Sequence, residues 1–228
     1  MVSEQVGRRA GHRGPGLGAS VAYLLMNLPL GVLAFGLLTA LVSAGIGTAV
    51  VWIGVALLAF VLLSVRGAAR LERARVYALL DRFIDLPYLP LPEGRQGPRW
   101  KARLKDTSTW RDLAYFFILF PVGLVEFVLV VTFWAVSLGL AGLPIYYRFL
   151  PEGAYYWPAY DVRWITVDTT LKALPWALLG IAFIALSIAL TKGLARMHSA
   201  LAASLLGPTH AQRLRMERSW DALDTVTG

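Results

Sequence analysis

The sequence predicts an all-α integral membrane protein with four transmembrane helices that form two tandem hairpin repeats. Three observations support this fold class. Hydrophobic residues make up 57% of the 228 residues and charged residues only 16%, which is too apolar for a soluble domain of this length. Four runs, at about 21–42, 46–65, 113–138 and 173–191, are long enough to cross the roughly 30 Å hydrocarbon layer. The third observation is that part of the first run recurs in the third.

The internal repeat is visible in two steps. Four residues of the first run reappear 92 positions later, the pairs being Tyr23 and Tyr115, Pro29 and Pro121, Gly31 and Gly123, and Phe35 and Phe127. The segment 66–71, which reads Arg-Gly-Ala-Ala-Arg-Leu, returns 126 positions later as Lys-Gly-Leu-Ala-Arg-Met at 192–197. The second copy has therefore gained 34 residues between its two halves.

Polar segments separate the spans. Residues 1–20 lack helical periodicity and predict a disordered tail, and the apolar run that follows is too long for the core of a cleaved signal peptide. Residues 43–48 are small and uncharged, which predicts a tight turn. Residues 84–109 contain four prolines and predict an extended basic linker between a first repeat at 21–83 and a second at 110–208. A C-terminal helix or tail occupies 209–228.

The basic residues predict the orientation. The loop 66–112 holds eleven of the 22 Lys and Arg residues, the N-terminal tail three and the segment from Lys192 onward five. The remaining three lie in the long loop 139–172. By the positive-inside rule both termini are cytoplasmic and the loop 139–172 faces outward, in a multi-pass protein of the cell membrane.

Amphipathic helices are predicted to follow spans two and four as juxtamembrane segments. Helical spacing places basic residues on one face of each, and those residues are Arg66, Arg70, Arg73, Lys192 and Arg196. Beside anionic lipid headgroups each such cation is worth on the order of 1 kcal/mol. We therefore predict a headgroup-binding or relay role for these five, with the anionic bilayer as a partner rather than nucleic acid.

Proline lies inside spans one and three and is followed two residues later by glycine. Pro29 with Gly31, and Pro121 with Gly123, predict kinks, because proline removes a helical hydrogen bond. One interpretation is that the kinks only shape the bundle. The other is that the two pairs are matched hinges.

Glu126 is the only acidic residue within a predicted span. A buried carboxylate in the hydrocarbon layer is unfavourable by several kcal/mol, so Glu126 should be neutral, paired or next to a polar cavity. One interpretation is a structural carboxyl group bonded to Asn27, Thr132 or the backbone. The other is a ligand-linked or proton-linked role.

The outer loop is rich in aromatic residues. Tyr and Trp favour the membrane–water interface, so one interpretation is an aromatic belt. The other is a ligand platform, in which aromatic faces and flanking charges hold a lipid-like or cationic molecule. The candidate residues are Tyr146, Tyr147, Arg148, Tyr155, Tyr156, Trp157, Tyr160, Asp161, Arg163 and Trp164.

Enzymatic chemistry finds little support in the sequence. The chain has no cysteine, and its three histidines, His12, His198 and His210, are scattered. Neither nucleophile motifs nor metal-ligand spacings nor Gly-rich phosphate loops occur. We therefore predict no catalytic residue, no metal and no cofactor.

The tandem Pro-x-Gly spans, the helix at 66–71 and the Leu-Leu-Gly-Pro element at 205–208 resemble the sensor domain that precedes the catalytic region in actinobacterial membrane histidine kinases. The resemblance implies a four-span input module that passes a membrane or envelope signal to a cytoplasmic kinase, and by analogy a homodimer. No phosphoacceptor or ATP-binding region follows in this sequence, so the expectation is either a stand-alone module acting on a kinase or regulator, or a chain without its kinase part. The competing prediction is a small transporter or accessory permease subunit.

Overall fold

Four long helices account for most of the residues that the computed structural model describes, namely 15–88, 100, 103–159, 161 and 163–214. They are α1 (Leu17–Gly47), α2 (Ile53–Leu80), α3 (Thr107–Tyr146) and α4 (Thr170–Leu206). Each is long and apolar enough to cross a membrane. Large apolar side chains such as Leu33, Phe60 and Ile181 are exposed on their surfaces, as expected where lipid is the solvent. The predicted all-α membrane fold is confirmed.

Polar side chains mark where α3 and α4 begin. Asp106 accepts a hydrogen bond from the backbone N–H of Ser108 at 3.0 Å, and Thr169 accepts one from the backbone N–H of Lys172 at 3.4 Å. These caps satisfy amide groups that have no partner inside the helix. They mark the first residues of two helices whose interiors are mostly apolar.

The first hairpin turn lies later in the chain than predicted. α1 continues through the small residues at 43–47, and a turn with a 3₁₀ helix at Ala49–Val51 connects it to α2. Trp52 closes the turn with a positive φ of 62°. In an apolar environment, backbone groups are best satisfied within a helix, so small residues extend α1 rather than break it. The second span therefore starts at Ile53 and not at 46.

The juxtamembrane segments are continuous with the spans. α2 runs without interruption from Ile53 to Leu80, and α4 from Thr170 to Leu206. The outer loop is shorter than predicted, because α3 includes the glycines at 139 and 142 and ends only at Tyr146. Half of the proline-rich linker, residues 89–99 and 101–102, lies outside the described residues, as do residues 1–14 and 215–228. The predicted tail 1–20 and the predicted linker 84–109 both extend too far, because α1 already begins at Leu17 and α3 at Thr107.

A small β hairpin lies between the C-terminal end of α3 and the start of α4. Strand β1 (Tyr155–Trp157) pairs antiparallel with β2 (Ile165–Val167), with Tyr156 opposite Thr166. A separate buried cluster of Leu143, Val167 and Ala173 packs the hairpin against both helices. The loop is thus attached to the bundle by apolar contacts.

The main core lies at one end of the bundle. We call it the basic end: α1 and α3 begin there, α2 and α4 end there, and most of the described Lys and Arg residues lie there. α3 packs against α1 and α4, and α1 packs against α2. The buried side chains at this end come from all four helices and include Tyr23, Val76, Tyr115, Leu119 and Ala202. Most of the buried polar side chains lie there as well.

The two repeated glycines lie where α1 and α3 cross. A Cβ atom on Gly31 would lie 2.8 Å from Cα of Phe120, and one on Gly123 would lie 2.8 Å from the backbone oxygen of Asn27. These distances are too short for any side chain, so both positions require glycine. Each helix uses its glycine to approach the backbone of the other, as in small-residue interfaces of membrane helices. The repeat in the sequence is therefore a repeat in the packing.

Candidate functional site

A closed set of buried polar side chains joins all four helices near the basic end. We call it the polar ring, and its members are Tyr23, Asn27, Glu72, Arg75, Tyr115, Glu126 and His198. Six of the seven are at most 5% exposed, and the side chain of Arg75 is 11% exposed. A set of this size is unusual inside a bundle whose surfaces are apolar, because each unsatisfied polar group would be costly there.

Glu72 is the most heavily bonded member of the ring. Its carboxylate accepts hydrogen bonds from the hydroxyl groups of Tyr23 at 2.7 Å and Tyr115 at 2.9 Å. Nε and Nη2 of Arg75 donate to the same carboxylate at 2.9 and 2.8 Å. The guanidinium also lies 4.2 Å from the centre of the Tyr23 ring. α1, α2 and α3 therefore meet at one carboxylate.

The other side of the ring is built on Glu126. Nδ2 of Asn27 donates to its carboxylate at 2.7 Å, and Nδ1 of His198 lies 2.8 Å from the same group. Oδ1 of Asn27 accepts from Nη2 of Arg75 at 2.6 Å, and Nε2 of His198 lies 3.1 Å from the hydroxyl of Tyr115. These contacts close the ring through Glu72.

The contacts of Tyr115 fix the direction of two hydrogen bonds. Tyr115 has a single hydroxyl proton but contacts both Glu72 and His198. The Glu72 carboxylate accepts that proton, so Nε2 of His198 donates to the Tyr115 oxygen. Every side chain of the ring therefore has a hydrogen-bond partner on another helix, which is what a buried polar network needs in order not to destabilise the fold.

The ring follows the internal repeat. Tyr23 and Tyr115 are equivalent residues at the spacing of 92, and Glu72 and His198 are equivalent at the spacing of 126. In the structure each tyrosine ring packs edge-on against His198, and each tyrosine hydroxyl donates to Glu72. Each hairpin therefore contributes one tyrosine at equivalent positions. At the other pair of equivalent positions, the first hairpin contributes the carboxylate of Glu72 and the second the imidazole of His198.

A second polar cluster lies next to the ring at the basic end. Arg73 is 5% exposed, and its Nη2 lies 3.0 Å from Asp112. The same guanidinium donates to the backbone oxygen of Leu206, at the end of α4, at 2.8 and 3.0 Å. Tyr88 donates to Asp112 at 2.5 Å. Burial, together with this hydrogen bond, raises the pKa of Tyr88 to about 12. The end of α4 is thus bound to α2 and α3.

The chain leaves α4 through a fixed junction. Residues 210–214 are helical, and we call them the exit helix. Thr209 and Gln212 form a capping box, in which each side chain bonds the other's backbone N–H, at 2.8 and 3.3 Å. Nε2 of Gln212 also donates to Ser108 at 2.8 Å and to the backbone oxygen of Pro87 at 3.3 Å. Arg111 donates to the backbone oxygen of Gly207 at 3.0 Å.

The residues predicted to bind headgroups separate into two groups. Arg70, Lys192 and Arg196 are exposed. The guanidinium of Arg66 instead bonds Asp106 at 2.6 Å and Thr109 at 2.6 Å, and Arg73 is buried as described. The headgroup role stays a prediction for the exposed three. Arg66 and Arg73 contact protein groups in this structure, which places them in the joints between helices.

The predicted hinge residues lie within continuous helices. α1 continues through Pro29 and Gly31, and α3 through Pro121 and Gly123. The glycines make the crossing contact between α1 and α3, and the hinge role itself stays a prediction.

Several outer-loop tyrosines are engaged in local packing. The hydroxyl of Tyr146 donates to the backbone oxygen of Gly139 at 3.0 Å, and that of Tyr147 lies 3.1 Å from the hydroxyl of Thr170. Tyr155 packs on the outer apolar cluster. The guanidinium of Arg148 lies 5.8 Å from the centre of the Tyr147 ring. Tyr147 and Tyr155 thus attach the loop to the helices, whereas Tyr146 bonds within α3 and Arg148 contacts a neighbour in the loop.

The rest of the predicted platform is more exposed. Tyr156 donates to Glu152 at 2.7 Å, and the guanidinium of Arg163 lies 4.4 Å from the centre of the Tyr156 ring. Trp157 and Trp164 are 48% and 77% exposed. Asp161 is exposed, and Tyr160 lies outside the described residues. The belt and the ligand platform both stay predictions.

Sequence reasoning identified Glu126 and named Asn27 as a partner, but it missed the rest of the ring. Glu72 and His198 lie in the predicted juxtamembrane segments, where a polar residue gives no signal of a site. A usable signal was present: aligning the repeats sets Glu72 against His198 and Tyr23 against Tyr115. Polar or aromatic residues that occupy equivalent positions in both repeats were candidates for a shared site.

Fold and site together define a class: a four-span, all-α membrane protein with a buried polar core at its basic end. Residues 23–206, most of the chain, match the family described as "Putative sensor", and the chain belongs to that family. No curated protein and no solved structure gave a match. The predicted likeness to a sensor domain is confirmed. Its association with histidine kinases stays a prediction.

Proposed function

We propose that this chain is a non-enzymatic sensor module that relays a membrane or envelope signal to a cytoplasmic partner. The observation that carries the proposal is the connection between the polar ring and the exit helix. Glu72 of the ring and Arg73 of the second cluster are neighbours on α2, and Arg73 donates to Leu206 at the end of α4. A change in how the four helices meet at the ring therefore has a direct structural route to the exit helix.

The ring is suited to change as a unit. A buried polar network is stabilising when every member is bonded and costly when some are not. Moving the first hairpin relative to α3 would break the contacts of Asn27 with Glu126 and of Glu72 with Tyr115 together. Such a network favours discrete arrangements over gradual distortion. A stimulus that binds one arrangement better would shift the population toward it.

The orientation in this proposal follows the positive-inside rule. Nineteen of the 22 Lys and Arg residues lie in the N-terminal tail, the loop 66–112 and the segment from Lys192 onward. Both termini, the basic end and the exit helix would then be cytoplasmic, and the β hairpin would face outward. The module would receive its signal in the membrane or outside and deliver it inside.

A histidine kinase is the partner class that the resemblance of the sequence implies. In kinases with such a domain, the helix after the fourth span continues into the dimerisation and phosphoacceptor helix, as the resemblance implies. The exit helix begins at the corresponding place, just after the Leu-Leu-Gly-Pro element. It would act either on a kinase in trans or as the start of a longer helix.

Photo-crosslinking from the exit helix tests the proposal. A photoreactive amino acid at Leu214, which is 39% exposed, should capture a histidine kinase or transcription regulator in native membranes. The same probe at Trp164 in the outer loop is the matched control and should not capture it. Capture of permease subunits from Leu214, or no difference between the two positions, would contradict the proposal.

One observation favours a second candidate, a small transporter. Hydrogen bonds run from Glu126 through His198 and Tyr115 to Glu72, a chain that could conduct protons. Each repeat has two spans, so the repeats run parallel, whereas inverted repeats are common in transporters. A proton flux in proteoliposomes that is lost on Glu126→Gln would favour transport over sensing.

A further inference from the structure

An apolar groove runs between α1 and α2 with α3 as its floor. It consists of two adjoining cavities of about 400 and 340 Å³, which share the lining residues Ala34, Ala68 and Phe116. On α1 the groove extends from Met26 to Leu41, which at 1.5 Å per residue is about 22 Å. One leaflet of the hydrocarbon layer is about 15 Å thick, so the groove can hold an extended acyl chain.

One end of the groove is polar. Glu72 and Arg75 line it there, and the remainder of its lining is almost entirely apolar. Arg75 uses Nε and Nη2 within the polar ring, but its Nη1 is buried and has no hydrogen-bond partner among the described residues. A buried guanidinium nitrogen without an acceptor is costly. Phosphate oxygen is an acceptor that guanidinium groups bind well.

The internal repeat shows how the two hairpins differ at the groove. Its narrow middle is formed by Ala34 and Ala68, and the equivalent residues of the second hairpin are Glu126 and Leu194. Leu194 is buried in the core, and Glu126 belongs to the polar ring. The second hairpin thus has larger side chains at both positions. Small residues at 34 and 68 are what leave the space open.

We propose that this groove is a binding site for one membrane phospholipid. Its acyl chain lies along α1 and α2 past Ala34 and Ala68, and its phosphate accepts from Nη1 of Arg75. The site can select one lipid molecule from the bulk membrane because it combines an apolar groove as long as an acyl chain with a single buried hydrogen-bond donor at one end. Since Arg75 and Glu72 also belong to the polar ring, the bound headgroup contacts the element that joins the four helices.

The site can be tested by closing the groove. Ala68→Leu introduces the residue that the second hairpin carries at the equivalent position, so the fold is expected to tolerate it. Ala34→Leu closes the groove from α1 and serves as a second variant. Ala185→Leu, at an exposed position on α4, is the matched control. Each protein is purified through prolonged detergent exchange, and retained phospholipid is measured by organic phosphorus and native mass spectrometry.

The wild type and Ala185→Leu are expected to retain a phospholipid in stoichiometric amount, and both groove variants to lose most of it. Adding phosphatidylglycerol to delipidated protein should restore the bound phospholipid in the wild type and in Ala185→Leu, and in neither groove variant. Equal retention by all four proteins, loss by the control, or no retained phospholipid in the wild type would each overturn the site. Recovery of only free fatty acid or detergent would overturn the phospholipid as its occupant.

The role of this lipid as a stimulus rests on the proposed sensor function, but its binding does not. If the phospholipid is retained as expected and the exit helix captures no signalling partner, the site stands and the sensor function fails. If crosslinking succeeds and both groove variants retain the lipid, the sensor function stands and the lipid site fails.

Discussion

Replacing Glu72 with leucine is expected to lower the free energy of unfolding by about 3–5 kcal/mol, because it leaves the buried Arg75 guanidinium without its carboxylate. The change also removes the acceptor for two buried hydroxyl groups, those of Tyr23 and Tyr115. No other side chain of the ring accepts from three residues on three helices. Reversible unfolding in mixed micelles measures the effect.

Two controls separate the ring from general effects of losing a carboxylate. Glu72→Gln keeps the shape and one acceptor oxygen, so it should show a smaller loss than Glu72→Leu. Asp168→Asn removes an exposed carboxylate that pairs with Lys172 at 2.7 Å, and should leave unfolding unchanged. A Glu72→Leu protein as stable as the wild type would mean that the ring does not hold the bundle together.

Gly123→Ala is expected to lower the free energy of unfolding by about 1–3 kcal/mol, the range for a side chain forced into a packed site. The added Cβ would lie 2.8 Å from the backbone oxygen of Asn27 and 2.9 Å from its carbonyl carbon. Backbone atoms cannot rotate away, so α1 and α3 must separate. The separation would move Asn27 away from Glu126, which it contacts from α1.

Gly139→Ala, on the same helix, is the control for this prediction. A Cβ there meets nothing within 4 Å, so the variant should be as stable as the wild type or slightly more stable. If Gly123 acted only as a hinge, Gly123→Ala would alter a response without altering stability. Equal stability of Gly123→Ala and Gly139→Ala would therefore contradict the crossing contact.

The four spans could be predicted from the sequence, because helices that are so apolar and so long are expected only in a lipid bilayer. The residues at which the spans begin and end could not be predicted in the same way. Small residues at 43–47 extend a helix in lipid and would form a turn in water, and the difference depends on the surroundings rather than on those residues. The starts of α3 and α4 are marked by local caps at Asp106 and Thr169. The apolar contacts around Leu143 at the C-terminal end of α3 form only in the assembled bundle.

The site could be predicted only in part. A carboxylate in a span, such as Glu126, stands out because its burial is costly. His198 and Glu72 do not stand out in the sequence, because each lies in an amphipathic segment that can present polar residues to headgroups or water. Only the packing of all four helices turns those residues inward. The groove depends on the absence of side-chain volume at Ala34 and Ala68, which gives no signal until the repeats are compared.

Hydrogen–deuterium exchange of residues 207–214 in Glu126→Gln tests the link between the polar ring and the exit helix most directly. Glu126 contacts Asn27 and His198, and it touches neither Arg73 nor Gln212. If the ring positions the end of α4, this variant should exchange faster in 207–214, with the β hairpin at 155–167 unchanged. Unchanged exchange in 207–214, with loss of protection only around Asn27 and His198, would contradict the relay.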